Sequence, residues 1–471
     1  MSDSRLLPLF TADEMRAVEQ AYPGYPESMR ELMDRAGSAA AEAAMRRFPD
    51  ARVYAVVCGG GSNGGDGRVA VDVLRASGRE AQIVDGKGDP PADLGWADVV
   101  VDALFGTGFA GAPREDAARI IERINGAGRP VVAVDIASGV DASTGEVAGP
   151  AVRASLTVTF HGLKLGHVVA PGRFHCGERE LVDIGLSGGE TRDSLATAAL
   201  LELVPPKRPE DTKFSAGSVL VVGGSRGLSG AVCLAGAAAY RADAGYVTVV
   251  VPDSLLPAVE LRLLEAVKRP WPGDGEGRLT PEVLPHALEL AERAQAIALG
   301  PGLGRSDGTR ALVRELLQAS PLPVVVDADA LYGLEPGEWR SPVVLTPHAG
   351  ELARLLDRES DWVGEHRLAA VCECAERFRA VTLLKGADTL VASPDGPVLV
   401  SERGTPALAT AGSGDVLTGV LAAFLAKGLE PQLAAVAAAE AHGRAAELAD
   451  AQRGLVAGDL LELLPRALPV P

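Results

Sequence analysis

The chain has 471 residues, more than one hydrophobic core usually organises, and its 47% hydrophobic and 23% charged content is that of a globular protein of two or three domains. Its 45 basic and 63 acidic residues leave a formal charge of −18, which repels phosphate backbones and anionic lipid and argues against nucleic acid or a membrane surface as partner. The five cysteines (Cys58, Cys176, Cys233, Cys372, Cys374) are odd in number and scattered, with no paired zinc-knuckle spacing and no disulfide framework. The apolar stretch Leu6–Phe10 is too short for a signal peptide, and no uncharged apolar run reaches membrane-spanning length. A cytoplasmic location is expected.

Thr11-Ala-Asp-Glu14 has the capping-box pattern of a helix start, and a second helix is expected from about Glu27 to Phe48. Runs of β-branched residues at Arg52–Val57, Ala81–Val84, Val99–Leu104, Val131–Ile136 and Leu156–Phe160 read as strands, with helical patterns at Arg68–Ser77 and Arg114–Ala127. Such alternation implies right-handed crossovers and a parallel sheet. A last strand, Glu178–Ile184, follows a turn at Pro171-Gly172. Polar Gly188–Asp193 and proline-rich Pro205–Asp211 mark a break, so domains of 1–190 and 200–471 are expected. Beyond it, strands are expected at Ser218–Val222, Tyr246–Val251, Ala296–Leu299, Val324–Asp327, Val343–Thr346, Thr382–Lys385 and Thr389–Ala392, and an alanine-rich helical tail after Gly412. Two α/β domains in tandem follow.

Cys58-Gly-Gly-Gly-Ser62-Asn63-Gly64-Gly65-Asp66-Gly67 sits between a strand and a helix. Glycines there permit positive φ and close backbone approach, and the following helix aims its positive end at any phosphate. A plain tight turn is the alternative, but a turn needs neither Asn63 nor Asp66. Asp102 and Asp135 each end an apolar strand, and Ser138 follows the second. In a parallel sheet such ends open on one crevice, so Asn63, Asp102, Asp135 and Ser138 converge, and their oxygens suit a hard cation. Taken singly, each aspartate also reads as a helix N-cap.

These segments, with Leu32-Met-Asp-Arg-Ala-Gly37, Thr157-Val-Thr-Phe-His-Gly162, Lys164 and Asp183-Ile-Gly185, resemble the NAD(P)H-hydrate epimerase family over residues 1–186. The resemblance implies a Rossmann-like three-layer fold. It implies that Ser62, Asn63, Gly64, Gly65, Asp66, Gly106, Thr107, Gly108, Phe109, Ala110, Gly111, Ala112 and Asp135 contact hydrated NADH or NADPH. It also implies potassium at Asn63, Asp102 and Ser138. The family has asparagine where Ser62 stands and proline where Ala137 stands; Ser62 still offers a hydrogen bond, and Ala137 is expected to loosen the turn that aims Ser138. Epimerisation at the hydroxyl-bearing carbon needs an acid/base group, and Asp135 is expected to be it.

In the second half, Val221-Val-Gly-Gly-Ser-Arg-Gly-Leu-Ser-Gly230 looks like a dehydrogenase nucleotide loop. No tyrosine has the lysine four positions on that such chemistry requires: Ala244 follows Tyr240 and Val250 follows Tyr246. Thr410-Ala-Gly412-Ser413-Gly414-Asp415 instead opens a long helix; its backbone can wrap an anion, and Asp415 stands as base for a hydroxyl attacking phosphorus, the alternative being a helix-end charge. This segment resembles the ribokinase-like superfamily. With Gly300-Pro-Gly302-Leu-Gly304, Asp327-Ala-Asp-Ala-Leu331, Thr346-Pro-His348-Ala-Gly-Glu351 and Lys385-Gly-Ala-Asp-Thr389, the match narrows to NAD(P)H-hydrate dehydratase from about residue 210 onward. It implies hydrate contacts at Ala231, Gly302, His348 and a catalytic Asp415, and adenine-nucleotide contacts at Lys385, Gly386, Ala387, Asp388, Thr389, Gly412, Ser413 and Gly414. Glu351 resembles the superfamily's magnesium-organising glutamate and also reads as a solvated helix residue. Thr212 and Asp243 stand where the family has histidine and glycine.

The expected enzyme is a bifunctional repair catalyst, a homo-oligomer using K+ and Mg2+. It epimerises R and S hydrates and converts the S form to NAD(P)H, with ADP as the co-substrate that the resemblance implies. A small-molecule kinase with a non-catalytic N-terminal domain is the alternative.

Overall fold

The computed structural model describes residues 4–87 and 93–469. Two compact units emerge, one of Pro8–Asp193 with Gly364–Leu368, and one of Ser194–Val363 and the chain from Ala369 onward, which also takes in the described residues before Pro8.

The first unit is built on six parallel strands in the spatial order Glu80–Asp85, Val53–Cys58, Val99–Ala103, Val131–Val134, Leu156–Phe160 and Glu178–Val182. The three at and beside the centre are near-continuous apolar runs because helices cover both faces. On one face Met29–Arg47 and Ser62–Ala76 pack through Ala36, Ala40, Ala44, Ala70 and Val71; on the other, Glu115–Gly126 lays down Ile120, Ile121 and Ile124. This is the parallel sheet that the alternation predicts, in the three-layer arrangement that the resemblance implies. The expected capping box is present: Thr11 Oγ1 accepts from the Glu14 N–H, and Glu14 accepts from the Thr11 N–H.

Two expectations need correcting here. Helix Ser62–Ala76 starts inside the glycine-rich segment rather than at Arg68, because its glycines mask the apolar period. Those glycines also do not serve positive φ. They serve close approach: a Cβ on Gly64 would lie 2.0 Å from the Gly59 carbonyl oxygen, and one on Gly37 would lie 2.4 Å from the Asp66 carbonyl oxygen and 2.6 Å from Val69 Cβ. Gly37→Ala is therefore expected to destabilise the first unit by about 1–3 kcal/mol, as overpacking does, read as a lower urea midpoint.

The second unit has seven parallel strands in the order Val267–Trp271, Tyr246–Pro252, Ser218–Val222, Ala296–Leu299, Val324–Val326, Val343–Leu345 and Val381–Leu384. The antiparallel strands Thr389–Ala392 and Val398–Ser401 extend it. Helix Ser413–Ala426 is buried from Val416 to Ala426, as a helix apolar all round must be, and packs with Ser229–Arg241 and Pro431–Glu447. Asp243 takes φ 72°, in the left-handed region that favours glycine, and its carboxylate pairs with Lys207 at 3.0 Å and Lys427 at 2.9 Å. Five strands among the described residues escaped the sequence reading, the shortest being the two-residue Leu163–Lys164. Val267–Trp271 is an edge strand carrying Pro270, Asp193–Ala196 straddles the polar break, Leu6–Phe10 carries Pro8, and Val398–Ser401 is a short run after the turn at Pro394–Gly396. Among the described residues no helix is long and apolar enough to cross a membrane.

Candidate functional site

Each unit presents chemistry at the carboxyl edge of its parallel sheet, where loops leave the strands. In the first, the ends of Val53–Cys58, Val99–Ala103 and Val131–Val134 open on a cavity of about 620 Å³. Its walls include Ser62, Asn63, Asp66, Gly106, Thr107, Gly108, Phe109, Ala110 and Asp135, together with Glu19 and Lys164. Gly64 and Gly65 turn instead against Gly59 and Met33, and Gly111 and Ala112 are not among the walls.

Asp135 is held in the left-handed region at φ 67°, a costly position for a side chain with a Cβ. Its N–H donates to the Val158 carbonyl at 2.7 Å, and its carbonyl accepts from His167 Nε2 at 2.9 Å. The Lys164 N–H donates to His167 Nδ1 at 3.0 Å, which leaves the ring proton on Nε2. Burial and the Lys164 charge push His167 down to about 3, so the ring is neutral and structural. Lys164 is fully buried and spends its ammonium on Asp135 Oδ1 at 2.6 Å, Thr159 Oγ1 at 2.8 Å and the Phe160 carbonyl at 3.1 Å. Thr107 donates to Asp135 Oδ2 from both its N–H and its hydroxyl. Burial alone would raise the Asp135 pKa, but Lys164 and Thr107 hold it below the ordinary value, so this carboxylate is ionised. Asp66 differs: burial, then the charges of Asp135 and Glu19, push it up to about 8. Glu19 is raised as well, by burial and then by Asp135.

Behind the cavity lies a second cluster. Ser138 donates from its N–H to Asp102 Oδ2 at 2.9 Å and from Oγ to Asp102 Oδ1 at 2.7 Å, and Leu104 N–H meets Oδ1 at 3.2 Å. Ser138 Oγ also accepts from Phe105 N–H at 2.8 Å, so the turn expected to loosen at Ala137 is held through Asp102 and Phe105. Asn63 donates to the Phe105 carbonyl at 2.7 Å, while its buried Oδ1 has no hydrogen-bond partner.

In the second unit, Gly412 caps helix Ser413–Ala426 at φ 90°, a conformation suited to glycine. Ser413 Oγ donates to the Leu408 and Thr410 carbonyls at 2.8 and 2.9 Å, bracing the loop. A Cβ on Gly414 would lie 3.4 Å from Lys385 Nζ and 3.9 Å from Asp327 Oδ2, so backbone amides, lysine and buried aspartate share one corner. Asp327 accepts from Lys385 Nζ at 2.9 Å, Thr346 Oγ1 at 2.8 Å and Thr418 Oγ1 at 2.7 Å. Burial raises its pKa, but these donors, Lys385 foremost, hold it below the usual range. Asp415 is pushed up to about 7 by burial and then by Asp327, against the pull of Lys385.

Gly302 takes φ 62°, and a Cβ there would lie 3.1 Å from Ala231 Cβ, so these two candidates adjoin. His348 N-caps helix Ala349–Leu356 through Nδ1, which accepts from the Gly350 N–H at 3.0 Å, and Glu351 Oε2 accepts from the His348 N–H at 2.9 Å. Glu351 is thus not a solvated helix residue: it is 8% exposed and 3.9 Å from Lys385 Nζ. Along Lys385–Thr389, Gly386 and Ala387 are exposed while Asp388 and Thr389 are buried. Sequence reasoning gave no role to Glu19, Lys164, Asp327 or Thr418. Lys164 and Asp327 carried a usable signal, since both stand in segments that carry the family resemblances, Asp327 also at a strand's carboxyl end.

A glycine-capped helix facing a lysine and a near-neutral carboxylate on a parallel sheet defines the second unit as a ribokinase-like α/β fold. ADP/ATP-dependent NAD(P)H-hydrate dehydratase from Bacillus subtilis, co-crystallised with ATP/Mg2+, is similar to it at 30% identity and TM-score 0.51, covering 57% of this chain and 96% of that one. A ribokinase-like protein from Enterococcus faecalis shows the same fold at 24% identity and TM-score 0.51, covering 58% of this chain and 94% of its own. The NAD(P)H-hydrate dehydratase family matches residues 219–469, and the family described as YjeF-related protein N-terminus matches 29–97 and 80–166. The bifunctional NAD(P)H-hydrate repair enzyme of Moorella thermoacetica is 39% identical over 98% of this chain and 96% of its own length; that of Escherichia coli is 34% identical over 97% and 93%. The chain belongs to the bifunctional NAD(P)H-hydrate repair enzyme family.

Proposed function

We propose that the unit of Pro8–Asp193 interconverts the R and S forms of hydrated NADH and NADPH, and that the following unit dehydrates the S form with conversion of ADP to AMP and phosphate. The observation that carries this is the corner of Gly412–Gly414, Lys385 and Asp415, the last titrating at about 7. Hydroxide is a poor leaving group. Asp415 takes the proton of the hydrate's hydroxyl as its oxygen attacks the terminal phosphorus of ADP, and AMP departs. The ring nitrogen lone pair then expels phosphate, and loss of the neighbouring ring proton restores NAD(P)H. A base with a pKa near the working pH suits the first step, and positioning plus charge stabilisation from Lys385 and the glycine backbone suits the transfer.

The residues fit two cations. Asn63, with its unpartnered buried Oδ1, Asp102 and Ser138 offer the hard oxygens that would hold potassium and fix the loop carrying Gly106–Ala110. Glu351, beside Lys385, would organise magnesium, which supplies charge neutralisation for the transferring phosphoryl group. The reading includes a cytoplasmic homo-oligomer. A scaffold role for the first unit would not call for the Lys164–Asp135 lock.

The test is purified protein on a mixture of both NADH-hydrate epimers, with ADP and separately with ATP, followed by reduced-nicotinamide absorbance and chromatography. Both epimers are expected to disappear with ADP. Consumption of the S form alone would remove the first unit's activity, and no recovery with ADP would remove the second's. Exchanging potassium for sodium is expected to slow epimer interconversion.

A further inference from the structure

Epimerisation at a hydroxyl-bearing carbon needs a group that gives a proton as well as one that takes it, and Asp135 alone supplies only one of these. We propose that Asp66 is the proton donor of the first unit's cavity, acting on the hydrate's hydroxyl with the Lys164-bound Asp135 as its carboxylate counterpart. The inference rests on the epimerase reading above.

The geometry separates the two carboxyls. Asp135 has a buried ammonium at 2.6 Å and two donors from Thr107, all of which favour its charged form. Asp66, in the first turns of helix Ser62–Ala76, lines the same cavity and is partly buried, yet only burial and the negative charges of Asp135 and Glu19 act on it. Glu19 faces the cavity from helix Ala12–Gln20 with Arg16 beside it, and the Arg16 and Lys164 charges help it ionise; Asp66 has no such help. Among the described residues that line the cavity, the titrating groups are Arg16, Glu19, Asp66, Asp135 and Lys164. Helix Met29–Arg47 presents Met29, Leu32, Met33 and Ala36 to the cavity, and on Asp66's own helix Arg68 turns to the Gly59 carbonyl. His167 lies behind Asp135 as a neutral ring. Environments that push two carboxyls apart in this way assign one as acid and the other as base.

The step balances. Asp66 gives its proton to the hydroxyl, the carbon–oxygen bond breaks, water leaves, and the ring nitrogen lone pair forms the iminium. Water adds to the opposite face, and its proton returns to the Asp66 carboxylate directly or by way of Asp135.

The experiment uses the full chain and NADH hydrate enriched in one epimer, without nucleotide, followed by chromatography. Wild type is expected to lose rate as pH rises through about 8, since only protonated Asp66 can donate. Asp66→Asn is expected to slow interconversion on the order of 10²–10⁴-fold and to lack the alkaline limb; Asp66→Glu is expected to recover part of the rate. Unchanged dehydration of the S form with ADP reports a folded second unit, and a urea midpoint no lower than the wild type's reports a folded first unit. A wild-type rate flat across that pH range, or Asp66→Asn at wild-type speed, overturns the proposal and leaves the epimerase reading standing. Absence of interconversion by the wild type overturns both.

Discussion

Asp415→Ala is expected to abolish recovery of reduced nicotinamide from the S hydrate and ADP, with a loss of about 10³-fold or more, the scale of removing a positioned general base. The same variant should fold at least as well as the wild type. Asp415 is pushed up to about 7 by burial and by Asp327, so the folded chain favours its protonated form. Its contribution to stability is fully present below the ordinary carboxylate pKa and is lost as pH rises through about 7. Removing the carboxyl therefore raises the unfolding midpoint at alkaline pH while dehydration disappears. In the wild type, dehydration should fall as pH drops below about 7, because the base is then protonated. A variant that keeps wild-type dehydration, or a rate that does not decline on the acid side, would contradict the assignment.

Asp135→Asn should stop interconversion of the two epimers and, unlike Asp415→Ala, should also weaken the fold. It removes the one negative charge paired with the buried Lys164 ammonium and leaves it neutral acceptors alone, the amide oxygen of the substituted side chain, Thr159 Oγ1 and the Phe160 carbonyl. Stranding one partner of a buried pair costs about 3–5 kcal/mol. The two losses can be told apart with the double variant Asp135→Asn/Lys164→Met, which removes both charges and should regain most of the stability but none of the epimerisation. Recovery of activity along with stability would mean that Asp135 acts only as a structural anchor. The pH sign is opposite to that of Asp415: a depressed carboxylate stabilises the fold above its ordinary pKa, and this contribution is lost as pH falls through the folded value.

The parallel alternation was readable because buried strands such as Val53–Cys58 and Val131–Val134 are unbroken apolar runs flanked by amphipathic helices. The start of helix Ser62–Ala76 was not readable, since glycines carry no hydrophobic period and their reason for being there, contact with Gly59 and with helix Met29–Arg47, lies elsewhere in the chain. Most of the first unit's candidate residues do line its cavity. Glu19 was passed over because a glutamate in an amphipathic helix near the N-terminus looks like any solvated face until the helix is docked.

What the sequence determined by itself is local: which segments are strands and helices, where glycines crowd a strand end, and which carboxylates stand at those ends. Hydrophobic period and backbone freedom act over a few residues, so they survive in one dimension. Which carboxyl keeps its proton was decided only by the tertiary structure. Asp135 is ionised because Lys164, 29 positions away, is folded onto it, and Asp327 because Lys385 arrives from 58 positions and Thr418 from 91. Asp66 and Asp415, partly buried beside like charges, are instead pushed up to about 8 and about 7, since proton affinity follows desolvation and neighbouring charge, and both exist only once the chain has closed around the group.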